Sequence, residues 1–85
     1  MKEFKYVIAD KEGIHARPAG LLVKEANNFK STVTMEKDGK TADVKKIFAL
    51  MSLGAKCGDE VIVRIDGEDE AEAAGKLALF LKNTL

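Results

Sequence analysis

The 85-residue chain is poor in several residue types, and each scarcity excludes a class of protein. Cys57 is the only cysteine, so no internal disulfide can form, and no second histidine or cysteine is present to build a metal cluster. No apolar run approaches the length of a membrane span, and Met1 to Lys5 lacks the apolar core of a signal peptide. We therefore expect a cytoplasmic protein that inserts into no membrane and needs no metal or other cofactor.

The chain also has no net charge, because 14 cationic side chains balance 14 acidic ones. This balance gives no support for nucleic-acid binding, and the predicted strands offer only Phe4 and Tyr6 as stacking aromatics. The charges are nevertheless uneven: residues 15–56 carry eight cations and four acids, whereas residues 57–85 carry three cations and seven acids. Such a division can orient a charged protein partner, although ordinary solvated charges explain it at least as well.

Hydrophobic periodicity predicts seven elements in the order β-α-β-β-α-β-α. The predicted strands and helices are, in chain order, 4–8, 16–27, 32–37, 40–44, 45–53, 60–65 and a last helix from about 69. The expected buried stripe of the last helix is Ala74, Leu77, Ala78 and Leu81. Asp38-Gly39 predicts a hairpin turn, and Gly54 predicts a helix C-cap. We expect one α+β domain over residues 1–85, with a largely antiparallel sheet covered by helices on one face.

The only histidine, His15, lies where the loop 10–13 gives way to the first predicted helix. A helix start presents unpaired N–H groups and a partial positive charge, which together bind phosphate. Arg17 adds a guanidinium that matches phosphate oxygens, while Ala16 and Pro18 form the first helical turn, where proline loses no hydrogen bond. Because imidazole can form covalent intermediates, the segment predicts phosphoryl transfer on His15. Taken singly, a histidine at a helix start is more often a helix cap or surface residue, and an arginine is more often a solvated charge. Helix initiation fully explains Pro18.

The second predicted helix is more apolar than a helix with one covered face requires. If Leu50 and Leu53 point inward, Ile47, Phe48 and Met51 are left at or near the surface. An apolar patch of this kind often marks a docking surface, and methionine adapts to several partners. A third helix or a loop that covers the patch explains the pattern equally well.

Two segments of the chain resemble the signatures of HPr, the histidine-containing phosphocarrier family of the bacterial phosphoenolpyruvate-dependent sugar phosphotransferase system. The first segment is Gly13 to Ala19 (GIHARPA), and the second is Val44 to Gly54 (VKKIFALMSLG). The order of elements agrees as well, so the resemblance covers essentially the whole chain. It implies an open-faced β-sandwich with a four-stranded antiparallel sheet and three helices.

The resemblance also implies a carrier in a relay rather than a stand-alone enzyme. Enzyme I would phosphorylate His15 at Nδ1, and His15 would pass the group to a histidine of an Enzyme IIA domain. Arg17 would contact both the phosphoryl group and the partner. The residues that would dock partners are the apolar Ile47, Phe48 and Met51, with Lys24 and Lys45 at a basic rim.

One position departs from the family pattern. Many members carry a regulatory serine at the start of the second helix, the target of HPr kinase/phosphorylase, whereas this chain has Lys46 there. Lysine has no hydroxyl and places a fixed positive charge where the family can add a negative one. We therefore expect no control by that kinase. Because His15 is present, related regulators that lack this histidine match less well; a regulatory protein-binding module and a nitrogen-branch phosphocarrier remain as alternatives.

Overall fold

The computed structural model, which describes residues 1–85, contains four strands and three helices in the expected order. The elements are β1 (Lys2–Val7), α1 (Ala16–Ala26), β2 (Thr32–Lys37), β3 (Lys40–Asp43), α2 (Ile47–Ser52), β4 (Glu60–Asp66) and α3 (Glu70–Thr84). All neighbouring strands pair antiparallel, and the strand order is β1-β4-β2-β3. The predicted α+β open-faced β-sandwich is confirmed.

Alternation along the strands gives the sheet one covered face and one open face. Val61 and Val63 of the inner strand β4 are buried, and their neighbours along the strand point to the opposite side. Tyr6 and Phe4 of β1 pair with these two valines and pack half-buried against the core. The strands therefore place no aromatic side chain on the open face, which lacks the stacking platform of a nucleic-acid-binding sheet.

The covered stripe of α3 agrees with the predicted one at its leucines and differs from it at its alanines. Leu77 and Leu81 are buried as expected, but Ala74 and Ala78 are only half-buried. Ala73 completes the stripe instead, with no exposed surface. The buried residues Ala73, Leu77 and Leu81 are spaced four apart along the helix. The residue after each of the first two, Ala74 or Ala78, therefore lies at the edge of the surface that packs on the core. None of the three helices has the length and apolar character needed to cross a bilayer.

The second helix is shorter than the predicted 45–53, because the chain before it forms a turn. The Asp43 carboxylate accepts the Lys45 N–H at 2.9 Å, and the Asp43 carbonyl accepts the Lys46 N–H at 3.0 Å. Lys46 keeps an extended backbone and acts as the N-cap, so that α2 begins at Ile47. After the helix, Gly54 adopts φ +63°, as expected of a glycine that follows a helix C-terminus.

Candidate functional site

His15 is the N-cap residue of α1 and lies on the surface. Its backbone is extended, and its carbonyl accepts the first helical hydrogen bond from the Ala19 N–H at 2.9 Å. The side chain is 37% exposed and makes no capping hydrogen bond. The imidazole is therefore accessible and is not used to start the helix, which removes the simplest structural explanation for a histidine at this position.

The first turn of α1 offers free backbone donors next to His15. The N–H groups of Ala16 and Arg17 donate to no backbone carbonyl, and Pro18 has no N–H to satisfy. No acidic residue lies in this turn to neutralise the partial positive charge of the helix start. These groups are therefore available to an anion such as a phosphoryl group.

A surface depression of about 360 Å³ brings the His15 and Arg17 side chains together. The other residues that line it are Asp10, Pro18, Leu21, Asn83 and Thr84. Five of these seven residues have polar side chains, unlike the predominantly hydrophobic residues that line the clefts for small-molecule ligands. The geometry therefore fits a group presented to another macromolecule better than a substrate taken up into the protein.

The end of the loop that precedes His15 is fixed by the segment before β4. Gly13 has φ +70°, and a Cβ atom there would lie 2.8 Å from the Cα of Lys56. Ile14 is buried and donates its N–H to the Ala55 carbonyl at 2.9 Å. The glycine thus permits a backbone approach that no larger residue allows, and this approach sets the position from which His15 projects.

The beginning of the same loop is fixed by the end of α3. The N–H groups of Ala9 and Asp10 both donate to the Leu85 carbonyl, at 2.6 and 2.8 Å, and the Leu85 side chain is buried. Cys57 is an exposed thiol whose Sγ lies 3.7 Å from the Ala9 carbonyl oxygen. The loop is therefore held at both ends by residues more than forty positions away in the chain.

Two carboxylates flank one nitrogen of the His15 ring, and sequence reasoning missed them because it interpreted residues 10–13 only as a loop. Asp10 Oδ2 is 3.6 Å and Glu12 Oε2 is 3.4 Å from His15 Nε2. The available signal was the Asp-x-Glu spacing, because an aspartate side chain often accepts the N–H two residues on, and Asp10 Oδ1 accepts the Glu12 N–H at 2.8 Å. These three side chains could offer ligand atoms within 4.8 Å of one another to a cation, but exposed acidic groups commonly cluster without one.

Ile47, Phe48 and Met51 form an apolar patch at the surface of α2, which we call the α2 surface. Leu50 and Leu53 are buried in the core. Phe48 is 84% exposed, and Ile47 and Met51 are half-buried beside it. No other part of the chain covers Phe48, so this aromatic ring is available to a partner.

The predicted basic rim is only partly free. Lys24, in the last turn of α1, is exposed. Lys45 is half-buried, and its ammonium group donates to the Phe29 carbonyl at 2.8 Å, so it braces the loop after α1. Lys46, at the regulatory position, has an exposed side chain.

Comparison with known proteins agrees with this geometry. The family described as PTS HPr component phosphorylation site matches residues 2–83. The HPr-like protein Crh of Bacillus subtilis is 48% identical over 82 residues, which cover 96% of this chain and 96% of Crh. The phosphocarrier protein HPr of Mycoplasma genitalium is 42% identical over 83 residues, which cover 96% of this chain and 94% of that protein.

The solved structure of HPr-C-His from Thermoanaerobacter tengcongensis matches this fold with a TM-score of 0.94 at 40% identity, over 99% of this chain and 94% of that one. The chain therefore belongs to the HPr family of the phosphotransferase system, and it is an HPr-family phosphocarrier. The family resemblance expected from the two sequence signatures is confirmed.

Proposed function

We propose that this chain serves sugar uptake in the cytoplasm, by accepting a phosphoryl group from phospho-Enzyme I on His15 and passing it to Enzyme IIA domains. The observation that carries the proposal is the exposed imidazole at the start of α1, beside the free N–H groups of Ala16 and Arg17. The family's description as a phosphorylation site supports it.

The transfer step is an in-line exchange between two histidines. The lone pair of His15 Nδ1 attacks the phosphorus, the N–P bond of the donor breaks, and its electron pair stays on the donor nitrogen. The Ala16 and Arg17 N–H groups and the Arg17 guanidinium stabilise the charge on the phosphoryl oxygens. The same groups hold the phosphohistidine until an acceptor histidine repeats the exchange.

The α2 surface provides the contact with both partners. Phe48 offers apolar area whose burial is worth about 25 cal/mol per Å², and Ile47 and Met51 extend the patch. The Ile47 side chain reaches to Gly20 of α1, close enough to meet a Cβ there at 3.7 Å, so the patch is continuous with the helix that carries His15. We assign the basic rim of this patch to Lys24 and Lys45, although the Lys45 ammonium is already bonded to the Phe29 carbonyl.

The decisive experiment uses Enzyme I, phosphoenolpyruvate and magnesium. We expect the wild-type chain to gain the mass of one phosphoryl group in an acid-labile form, because an N–P bond is broken by acid. The control is His15→Ala, which should gain nothing. An uncharged wild-type chain would contradict the carrier function, whereas a charged His15→Ala variant would contradict the site.

We also infer that this chain escapes the serine switch, because Lys46 stands at the regulatory position. Incubation with HPr kinase/phosphorylase and ATP should leave the wild-type chain without phosphoserine, while Lys46→Ser supplies a hydroxyl at the α2 N-cap and should be modified. Phosphate on any serine of the wild-type chain, Ser52 included, would refute the inference.

A regulatory protein-binding module is the second candidate, and the 48% identity to the HPr-like protein Crh favours it. In that role the α2 surface docks partners, but His15 does not pass phosphoryl groups on for sugar uptake. Incubating the charged protein with Enzyme IIA domains separates the two roles, since only a transport carrier loses its phosphoryl group to them. Transfer confined to a nitrogen-branch acceptor would instead identify the nitrogen-branch variant of the carrier.

A further inference from the structure

We propose that Asp10 and Glu12 are positioning residues that keep a proton on His15 Nε2 and direct phosphorylation to Nδ1. The proposal rests on the proposed function, because it presupposes that His15 accepts the phosphoryl group. Its basis is that both carboxylates flank the same ring nitrogen, at 3.6 and 3.4 Å from Nε2.

The neutral imidazole ring has two tautomers, with its proton on either Nδ1 or Nε2. A carboxylate accepts hydrogen bonds and cannot donate them, so an unprotonated Nε2 would turn its lone pair toward two negative charges. A protonated Nε2 turns a positive hydrogen toward them instead. At these distances the carboxylates act mainly through charge rather than as tight hydrogen-bond acceptors. The favoured tautomer therefore leaves the lone pair on Nδ1, where a nucleophile is required.

The two carboxylates also affect which phosphorylated product is favoured. A phosphoryl group on Nε2 would bring its negative charge next to Asp10 and Glu12, whereas one on Nδ1 projects from the other side of the ring. Coulomb repulsion in a water-like dielectric, reduced by salt, corresponds to about a tenfold penalty on the Nε2 product for each carboxylate. The two acids thus disfavour the wrong isomer both before and after the transfer.

The carboxylates also act on the ring during the transfer. As Nδ1 forms its bond to phosphorus, the donor N–P bond breaks, its electron pair returns to the donor nitrogen, and the Nε2 proton stays where it is. The product is a cationic ring whose N–H faces two anions, which stabilise it. A protonated ring is also the better leaving group, so the phosphoryl group stays ready for onward transfer.

The local fold allows this charge effect to be separated from a structural role. Asp10 uses Oδ1 to accept the Glu12 N–H and its carbonyl to accept the Gly13 N–H at 2.9 Å, which leaves Oδ2 to face the ring. Asp10→Asn retains an oxygen for the turn and turns an N–H donor toward Nε2. Glu12 is 75% exposed and its carboxylate joins no hydrogen bond of the turn, so Glu12→Gln removes charge alone.

The site variant Asp10→Asn/Glu12→Gln is compared with the control variant Asp66→Asn/Glu68→Gln. The control makes the same charge change on two exposed residues at the C-terminal end of β4. Each protein is phosphorylated with phosphoramidate, a small donor that needs no Enzyme I, and the isomers are resolved by ³¹P NMR. We expect the ratio of Nε2 to Nδ1 product to rise tenfold or more in the site variant and to stay at the wild-type value in the control. Glu12→Gln alone should give a smaller rise in this ratio. Because it leaves the turn intact, it still tests the proposal if the double variant does not fold.

A second readout is the imidazole ¹⁵N spectrum of the unphosphorylated proteins, which reports the tautomer directly. The site variant should lose part of the Nε2–H population, and the control should not. Unchanged isomer and tautomer ratios in a folded site variant that Enzyme I still charges would overturn the positioning role and leave the proposed function standing. Failure of Enzyme I to charge the wild-type chain would overturn the proposed function, and this role with it.

Discussion

Gly13 is the residue at which the packing of the His15 loop can be tested most directly, by substitution with alanine. An L-residue at φ +70° costs about 1–2 kcal/mol. The new Cβ would also lie 2.8 Å from the Lys56 Cα and closer still to the Ala55 carbonyl oxygen. Both are backbone atoms that cannot rotate aside, so relief requires a loop shift worth about 1–3 kcal/mol. The expected loss of about 2–5 kcal/mol is large beside the roughly 4–13 kcal/mol available to a domain of this length.

Gly54 provides the matched control, because it has φ +63° and a Cβ there would meet nothing within 4 Å. Gly54→Ala should therefore lose only the backbone cost of about 1–2 kcal/mol. Urea unfolding at neutral pH measures both losses, and amide exchange of Ile14, whose N–H bonds to Ala55, reports the loop itself. Equal losses in the two variants, with Ile14 exchange unchanged in Gly13→Ala, would refute the idea that close backbone packing fixes the loop.

Three further predictions concern the core, the exposed Phe48 and an acid-sensitive contact. Leu50→Ala should lower the free energy of unfolding by about 2–5 kcal/mol, because the side chain is fully buried. Phe48→Ala should change it by less than about 0.5 kcal/mol yet slow charging by Enzyme I; a stability loss like that of Leu50→Ala would show that Phe48 is a core residue. The Ser31 hydroxyl, followed by the Lys30 N–H, holds the pKa of the Asp69 carboxyl below its usual value of 3.8. The ionised form therefore stabilises the fold fully above the usual pKa of 3.8, and that stability is lost as the pH falls through the lowered pKa. The difference between the urea midpoints of wild type and Asp69→Asn should accordingly be largest at pH 7 and should shrink as the pH is lowered below 3.8.

The elements could be predicted from the sequence because their patterns are local. The alternation of apolar and polar residues in β4 and the Asp38-Gly39 turn indicate strands from a few neighbouring residues alone. The start of α2 could not be predicted in the same way, since it depends on the Asp43 side chain capturing the Lys45 N–H. A short polar side chain that competes for backbone donors shifts a helix boundary without altering the hydrophobic pattern.

The candidate site likewise has a part that local sequence predicts and a part that depends on distant contacts. The segment from Gly13 to Pro18 is contiguous, so its nucleophile, its arginine and its helix start were all visible in the sequence. The hydrogen bonds that hold the surrounding loops join residues far apart in the chain. Ile14 donates to the Ala55 carbonyl, and Lys45 donates to the Phe29 carbonyl. The Asp10 and Glu12 carboxylates are near in sequence, but their approach to Nε2 depends on a turn whose geometry composition does not encode.

The open geometry of the site has a consequence for catalysis. The His15 side chain, which is 37% exposed in a surface depression, is not shielded from water by this chain alone. Exclusion of water strengthens the electrostatic stabilisation of a transferring phosphoryl group, so the partner must provide it on docking. In the proposed docking role, the exposed Phe48 would become part of the partner interface, on the surface that Ile47 joins to α1. Transfer to a docked histidine should therefore depend on Phe48 more strongly than hydrolysis of the free phosphoprotein does, because hydrolysis occurs without a partner.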